Sequence, residues 1–359
     1  MLTIEMLPAT QGDCLWVEYG TGDEVRRVLI DGGTTGTYKA ALRARIEALP
    51  EGARRFELLV VSHIDSDHIG GLLPLVRDTK LGVEYGDIWF NGLDHLSSAD
   101  EMGPAQGDML TKVLKEKKLP WNLAFGRKAV MVPDTGALPI VELAGGLKLT
   151  LLSPTREKLA DLRAVWDPTV EQAGMVEGIE ATPDKQDVEE QGPPDILGGG
   201  INVSALADAD TKLDGAEANG SSIALLLEFE GTTILLGADA HSQVLVASIK
   251  RLLGDREEKL RVDAVKLPHH GSKKNVTKAL LEVVEGQSYF FSTNGVSHCH
   301  PNQEAVARVI AYGGARPSLF FNYRTEFNEM WDDAALKKSK HYTAEYPAPD
   351  EKGLLIELA

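Results

Sequence analysis

The apolar run Leu58 to Val61 leads without a break into Ser62 and then into His63-Ile64-Asp65-Ser66-Asp67-His68. A short apolar run between turn formers predicts a strand buried on both faces, as in layered α/β proteins. Such folds place their chemistry just past the carboxyl ends of strands, which is where this cluster falls. Gly70-Gly71 follows and opens a predicted helix through Leu75. The same arrangement recurs along the chain. Arg27 to Ile30 ends in Asp31-Gly32-Gly33, and Thr232 to Leu236 ends in Gly237-Ala238-Asp239. Val262 to Leu267 ends in Pro268-His269-His270-Gly271-Ser272, and Tyr289 to Ser292 precedes His298-Cys299-His300-Pro301.

Further strands are predicted at Thr3 to Leu7, Cys14 to Tyr19, Tyr85 to Phe90, Leu147 to Leu152 and Ser222 to Phe229. Helices are predicted over Tyr38 to Leu49, Met109 to Lys117, His241 to Leu253, Lys278 to Val284 and Asn302 to Ala311. Between Pro154 and Gly220 the pattern thins, with Asp184, Asp187, Glu189 and Glu190 running into Pro193-Pro194 and Gly198-Gly199-Gly200. We therefore expect one domain over 1–359, with 155–220 a mobile acidic insertion and not a second domain.

Two cysteines, Cys14 and Cys299, form no disulfide framework, which predicts a reducing, cytoplasmic setting. No stretch approaches the roughly 20 apolar residues of a membrane helix, and the first residues lack a basic segment followed by an apolar one. The formal charge of -17 disfavours nonspecific duplex binding, since neutralising many phosphates requires a basic face.

Within His63 to His68 four metal-ligating side chains fall in six residues. On an extended backbone, residues 63, 65 and 67 share a face and His68 is displaced by a turn. A turn of side-chain-to-backbone hydrogen bonds would use the same residue types, but the preceding strand and following glycines favour ligands. Asp239, taken alone, suits an N-cap for the helix from His241 as well as a ligand. Arriving from a distant segment, it could bridge two cations. His269-His270 sits at a strand end beside Gly271, Lys273 and Lys274, and His298 and His300 form a further pair. His95, His241 and His341 read as ordinary surface or core imidazoles.

These segments resemble the metallo-β-lactamase superfamily, whose usual signature is His-x-His-x-Asp-His, here with Asp65 in place of the second histidine. More narrowly, Thr3 to Gly33, His63 to Gly71, Asn219 to Ser222, Gly237 to Ala240, Pro268 to Ser272 and His300-Pro301 resemble the hydrolase domain of competence DNA-uptake proteins (ComEC-like). The resemblance implies a four-layer αββα sandwich with two mixed β-sheets and the site at one edge. It implies His63 and Asp65 on a first metal, Asp67, His68 and His270 on a second, Asp239 between them, and Asp31 orienting ligands. The usual third histidine on the first metal has no counterpart between residue 69 and Asp239 apart from His95. Asn219 and Ser221 occupy the place where the ComEC-like branch also lacks one.

The expected cofactor is one or two divalent ions, Zn2+ or Mn2+, the added carboxylate favouring the harder metal. Such a cation lowers the pKa of a bound water towards about 7. Asp67 or Asp239 would orient that water, and His269 would assist charge neutralisation or the leaving group. Lys273, His298, His300, Asn219 and Ser221 are expected to contact substrate or support the ligands. A phosphodiester is the expected substrate, as a single strand, a nucleotide or a short end. The alternatives are a hydrolase of lactones or thioesters, and a non-catalytic regulatory module that keeps the fold.

Overall fold

The structure, a computed structural model, describes residues 1–22, 24–96, 108–182 and 200–358. Among them run fourteen strands: β1 (Leu2–Met6), β2 (Leu15–Thr21), β3 (Glu24–Ile30), β4 (Arg55–Val60), β5 (Glu84–Trp89), β6 (Ile140–Glu142), β7 (Lys148–Ser153), β8 (Ala224–Phe229), β9 (Thr232–Leu236), β10 (Leu260–Lys266), β11 (Val284–Phe291), β12 (Ser318–Phe321), β13 (Thr343–Glu345) and β14 (Leu354–Glu357). They form a six-stranded sheet ordered β14-β1-β2-β3-β4-β5 and an eight-stranded sheet ordered β13-β12-β11-β10-β9-β8-β7-β6. Both sheets are mixed. β3, β4 and β5 are parallel in the first, and β9 to β13 are parallel in the second. Helices cover the outer faces, giving the αββα sandwich of the metallo-β-lactamase fold.

Strand β4 shows why the motif sits where it does. Leu58 and Val60 face the core between the sheets, while Leu59 and Val61 face the helix-covered side, so the run is apolar throughout. Asp31 leaves β3, Ser62 and His63 leave β4, Asp239 leaves β9, and His269 and His270 leave β10, all at carboxyl ends of parallel strands. The two sheets bring these ends to one edge. The β1–β2 connection crosses it, with the N–H of Gly33 donating to Asp13 O at 2.7 Å and Ser292 Oγ donating to Gly12 O at 3.1 Å. Gly12 has no substitute here, since a Cβ would lie 1.7 Å from the Asp67 carbonyl oxygen.

Within the expected insertion over 155–220, several described residues are helical and buried. Arg156–Ala164 and Trp166–Gln172 are helices, and their Leu159, Leu162, Trp166 and Val170 are buried in the core outside the six-stranded sheet. Val203–Ala207 is also helical, with Val203 and Ala207 buried where it packs on the helix Gln303–Tyr312. Asp184, Asp187, Glu189, Glu190, Pro193, Pro194 and Gly198-Gly199 lie outside the described residues. The acidic stretch lowered the average of the whole window and hid apolar side chains at helical spacing beside it. Within the motif the backbone is not extended either: Asp65 stands at the N-cap of a short helix, Ser66–Ile69, which carries Asp67 and His68.

Candidate metal centre

Asp31 is fully buried at φ 58°, and its carboxylate organises the first half of the centre. It accepts from the Ser62 N–H at 2.7 Å, from Ser62 Oγ at 2.6 Å and from His68 Nδ1 at 2.8 Å. With its proton given to Asp31, Ser62 Oγ accepts from His63 Nδ1 at 2.9 Å. His270 Nδ1 donates to Ser292 O at 2.9 Å. In its neutral form each ring thus has its proton on Nδ1 and turns the Nε2 lone pair inward, a tautomer assigned from the network.

These lone pairs meet carboxylates. His68 Nε2 lies 3.2 Å from His270 Nε2, 3.4 Å from Asp239 Oδ2 and 3.9 Å from Asp67 Oδ1. His270 Nε2 lies 3.4 Å from Asp239 Oδ2 and 3.7 Å from Asp67 Oδ2, and His63 Nε2 lies 3.3 Å from Asp65 Oδ2. His63, His68 and Asp239 form one set able to share an ion, and Asp67, His68 and His270 form another. Two acceptor nitrogens facing each other beside carboxylates repel unless something positive sits among them. The buried His63 Nε2 and Asp239 Oδ1 also have no hydrogen-bond partner, so the donor set fits divalent cations.

The electrostatics carry the same signature. For His68, burial opposes the charged ring, yet Asp239, Asp67 and Asp31 outweigh it and push the pKa well above its usual value. His270 is raised too: burial again opposes, and Asp239 and Asp13 prevail. Asp239 is held well below the usual carboxylate range, burial being overcome by His270, His68 and His269. Positive φ angles at Ala238 (45°), His269 (49°) and His270 (54°) show that the strand exits are strained where they deliver these groups.

Beside the centre lies a cavity of about 310 Å3 bounded by Gln11, Thr34, Thr35, Ser66, Gln172, Thr182 and Ser297, with Asp65, Asp67, Asp239, His269, Asn219 and His298 in its wall. His269 Nδ1 donates to Asn275 Oδ1 at 3.1 Å and lies 3.4 Å from Asp214 Oδ2, while its Nε2 is 3.8 Å from Asp239 Oδ2. Asn219 Nδ2 donates to Asp214 Oδ2 at 2.9 Å. His300 is buried, its ring 5.3 Å from His269 and 5.8 Å from His298. Burial and then the neighbouring His269 hold its pKa well below the usual value.

Not every expected residue lies in the cavity wall. Lys273 Nζ reaches Glu304 at 3.4 Å and is outside the cavity wall, because a half-buried lysine beside a carboxylate on the next helix pairs with it. Ser221 Oγ donates to Ala218 O at 2.6 Å and serves its own helical turn. Asp239 caps no helix; His241 holds that position and its Nε2 donates to Ala216 O at 2.9 Å. His95, the only histidine in the interval where a third ligand was sought, packs 4.6 Å from the Trp121 ring and joins no metal-type cluster among the described residues. Three supporting residues were not foreseen: Asp214, Asn275 and Asp13. Asn275 follows the His269-His270 motif closely, which was the one local signal for it; Asp214 lay inside the supposed insertion.

The model of the metallo-beta-lactamase superfamily matches residues 7–155, the part that holds Asp31 and the His63 to His68 motif. The match covers less than half of the chain and marks a likeness of this part to that superfamily. The ComEC-like branch is not distinguished by the match. Similar solved structures include CmlA, a diiron beta-hydroxylase from Streptomyces venezuelae (13% identity, 99% of this chain, TM-score 0.43), of which this chain spans 54%. Another is the metallo-beta-lactamase fold protein YhfI from Bacillus subtilis (10% identity, 99% of this chain and 100% of that one, TM-score 0.40). A diphosphatase from the PhnP family is 12% identical over 100% of this chain and 98% of its own, with a TM-score of 0.38. None of these likenesses assigns an activity. No curated protein matches the chain.

Proposed function

We propose that this protein is a metal-dependent hydrolase that cleaves a phosphodiester of small size. The observation that carries the reading is the convergence of three inward Nε2 lone pairs with the carboxylates of Asp67 and Asp239, two of the buried atoms lacking any partner. His63, Asp65 and Asp239 would hold one cation and Asp67, His68 and His270 the other, Zn2+ or Mn2+. When bound, such ions supply an activated water and neutralise charge on the substrate oxygens. Asp239 and Asp67 line the cavity, where each can accept a hydrogen bond from an attacking water and align it. His269 faces the same space and can hold a proton for the departing oxygen, its ring fixed by Asn275 and Asp214. His298 and Asn219 provide substrate contacts from the wall, and His300 braces His269.

Among the described residues no lysine or arginine lines the cavity, and the chain carries -17 overall. That favours a nucleotide or a short single-stranded end over a long strand, whose phosphates would need cations outside the centre. Kinship of motifs with the ComEC-like branch supports a nuclease-type reaction, and the two cysteines support a cytoplasmic setting. The same lack of wall cations favours, as a second reading, a neutral lactone or thioester. Turnover of bis-p-nitrophenyl phosphate and of a lactone by Mn2+- or Zn2+-loaded protein, with Asp67→Ala as control, separates them. We expect the phosphodiester to be cleaved and the variant to be inactive; lactone opening with the diester untouched overturns the first reading.

A further inference from the structure

Lys266, at the end of β10, is fully buried, and its Nζ donates to Asp13 Oδ2 at 2.6 Å and to Leu267 O at 3.1 Å. Asp13, equally buried, comes from the β1–β2 connection 253 residues away. Its other oxygen, Oδ1, has no hydrogen-bond partner and lies 3.4 Å from His270 Nδ1, while the ring's Nε2 is the nitrogen beside Asp67 and Asp239. A buried ion pair is poor as pure stabilisation, since apolar side chains of similar volume do as well or better. A carboxylate behind a ligating imidazole, in contrast, fixes the ring and strengthens the opposite nitrogen as a donor. Ser292 O already orients the ring proton, so what Asp13 adds is charge, and Lys266 fixes where that charge sits.

We propose that Asp13, anchored by Lys266, is a positioning residue that sets the donor strength and orientation of His270 towards the second cation. This rests on the metal-centre reading above. The pair also ties one sheet to the other, so a test must separate the two roles. Asp13→Asn and Lys266→Met each leave a buried group without its partner and can destabilise the fold; the double variant removes both charges together. Cation affinity of metal-free protein, measured by calorimetry with Mn2+ and Zn2+, is compared with thermal unfolding, and the visible spectrum of the Co2+ form reports the ligand field.

We expect the double variant to regain the melting temperature lost by Lys266→Met, yet to bind the cation on the order of tenfold or more weakly, with altered Co2+ bands. Affinity within threefold of wild type in a folded double variant shows a structural tie only and overturns the proposal. Wild-type protein that takes up no cation instead overturns the metal-centre reading itself, so the two failures are told apart.

Discussion

Asp31 touches no cation-facing nitrogen, yet three groups of the centre depend on its two oxygens. Replacing it by Asn puts an amide donor where Ser62 or His68 donates, so His68 loses its fixed tautomer. We expect metal affinity to fall about 10–100-fold, as for other partners of ligating histidines, while the fold persists; titration calorimetry checks this. Loss of a proposed ligand, as in Asp67→Ala or Asp239→Ala, should cost more, and elemental analysis should find less metal bound. Asp214 gives a pH signature. Burial works against its charge, but the bond to His269, its positive charge, the Ala216 N–H and Asn275 outweigh that and hold it well below the ordinary range. A depressed carboxyl contributes stability above its unfolded pKa of about 3.9, and loses it as pH falls through the folded value. Asp214→Asn should therefore flatten the acid limb of stability against pH below about 5, as read by denaturant unfolding; an unchanged limb contradicts this. His63, Asp239 and His270 were legible because each follows closely on a strand, and His68 because it shares the His63 motif. Asp13 and Lys266 were not, since nothing local marks a pair whose members meet only when the sheets dock.

At the scale of elements, the strands were easier to read than the helices. The second halves of β4 and β9 are buried on both sides and therefore written as apolar runs, whereas β10 carries Asp263 and Lys266 among its apolar residues. The helices over Arg156–Ala164 and Trp166–Gln172 bury only one stripe, Leu159, Leu162, Trp166 and Val170, amid charged neighbours. Short edge strands such as β6, β13 and β14 show too few residues for a pattern to emerge. Because Trp166 is buried in the core, Trp166→Ala should cost about 3–5 kcal/mol, measurable by urea unfolding. A loss under about 0.5 kcal/mol, as for a surface change, would restore the insertion reading. Arg308, on the helix Gln303–Tyr312, donates to the carbonyls of Ala207, Ala209, Lys273 and Val276. It thereby holds the segment before Asp214 against the one carrying Asn275, which is how a helix outside the centre keeps His269 in place.

For the whole molecule, a cation that binds only the folded chain adds stability as RT ln(1 + [L]/Kd), about 2.7 kcal/mol at a hundredfold excess over Kd. Chelation should accordingly lower the melting temperature, and re-addition of Mn2+ or Zn2+ should restore it; a melting temperature indifferent to both argues against the centre. Among the described residues no helix is long and apolar enough to cross a membrane. His68 and His270 are 202 residues apart yet 3.2 Å from each other at their Nε2 atoms. A ribosome therefore releases His63, Asp65, Asp67 and His68 long before their partners exist, and an ion arriving early would find half a cage. On the proposed reading, loading has to wait until the segment carrying Asp239 and His270 has been made, so the cage closes around an ion only as the two sheets dock.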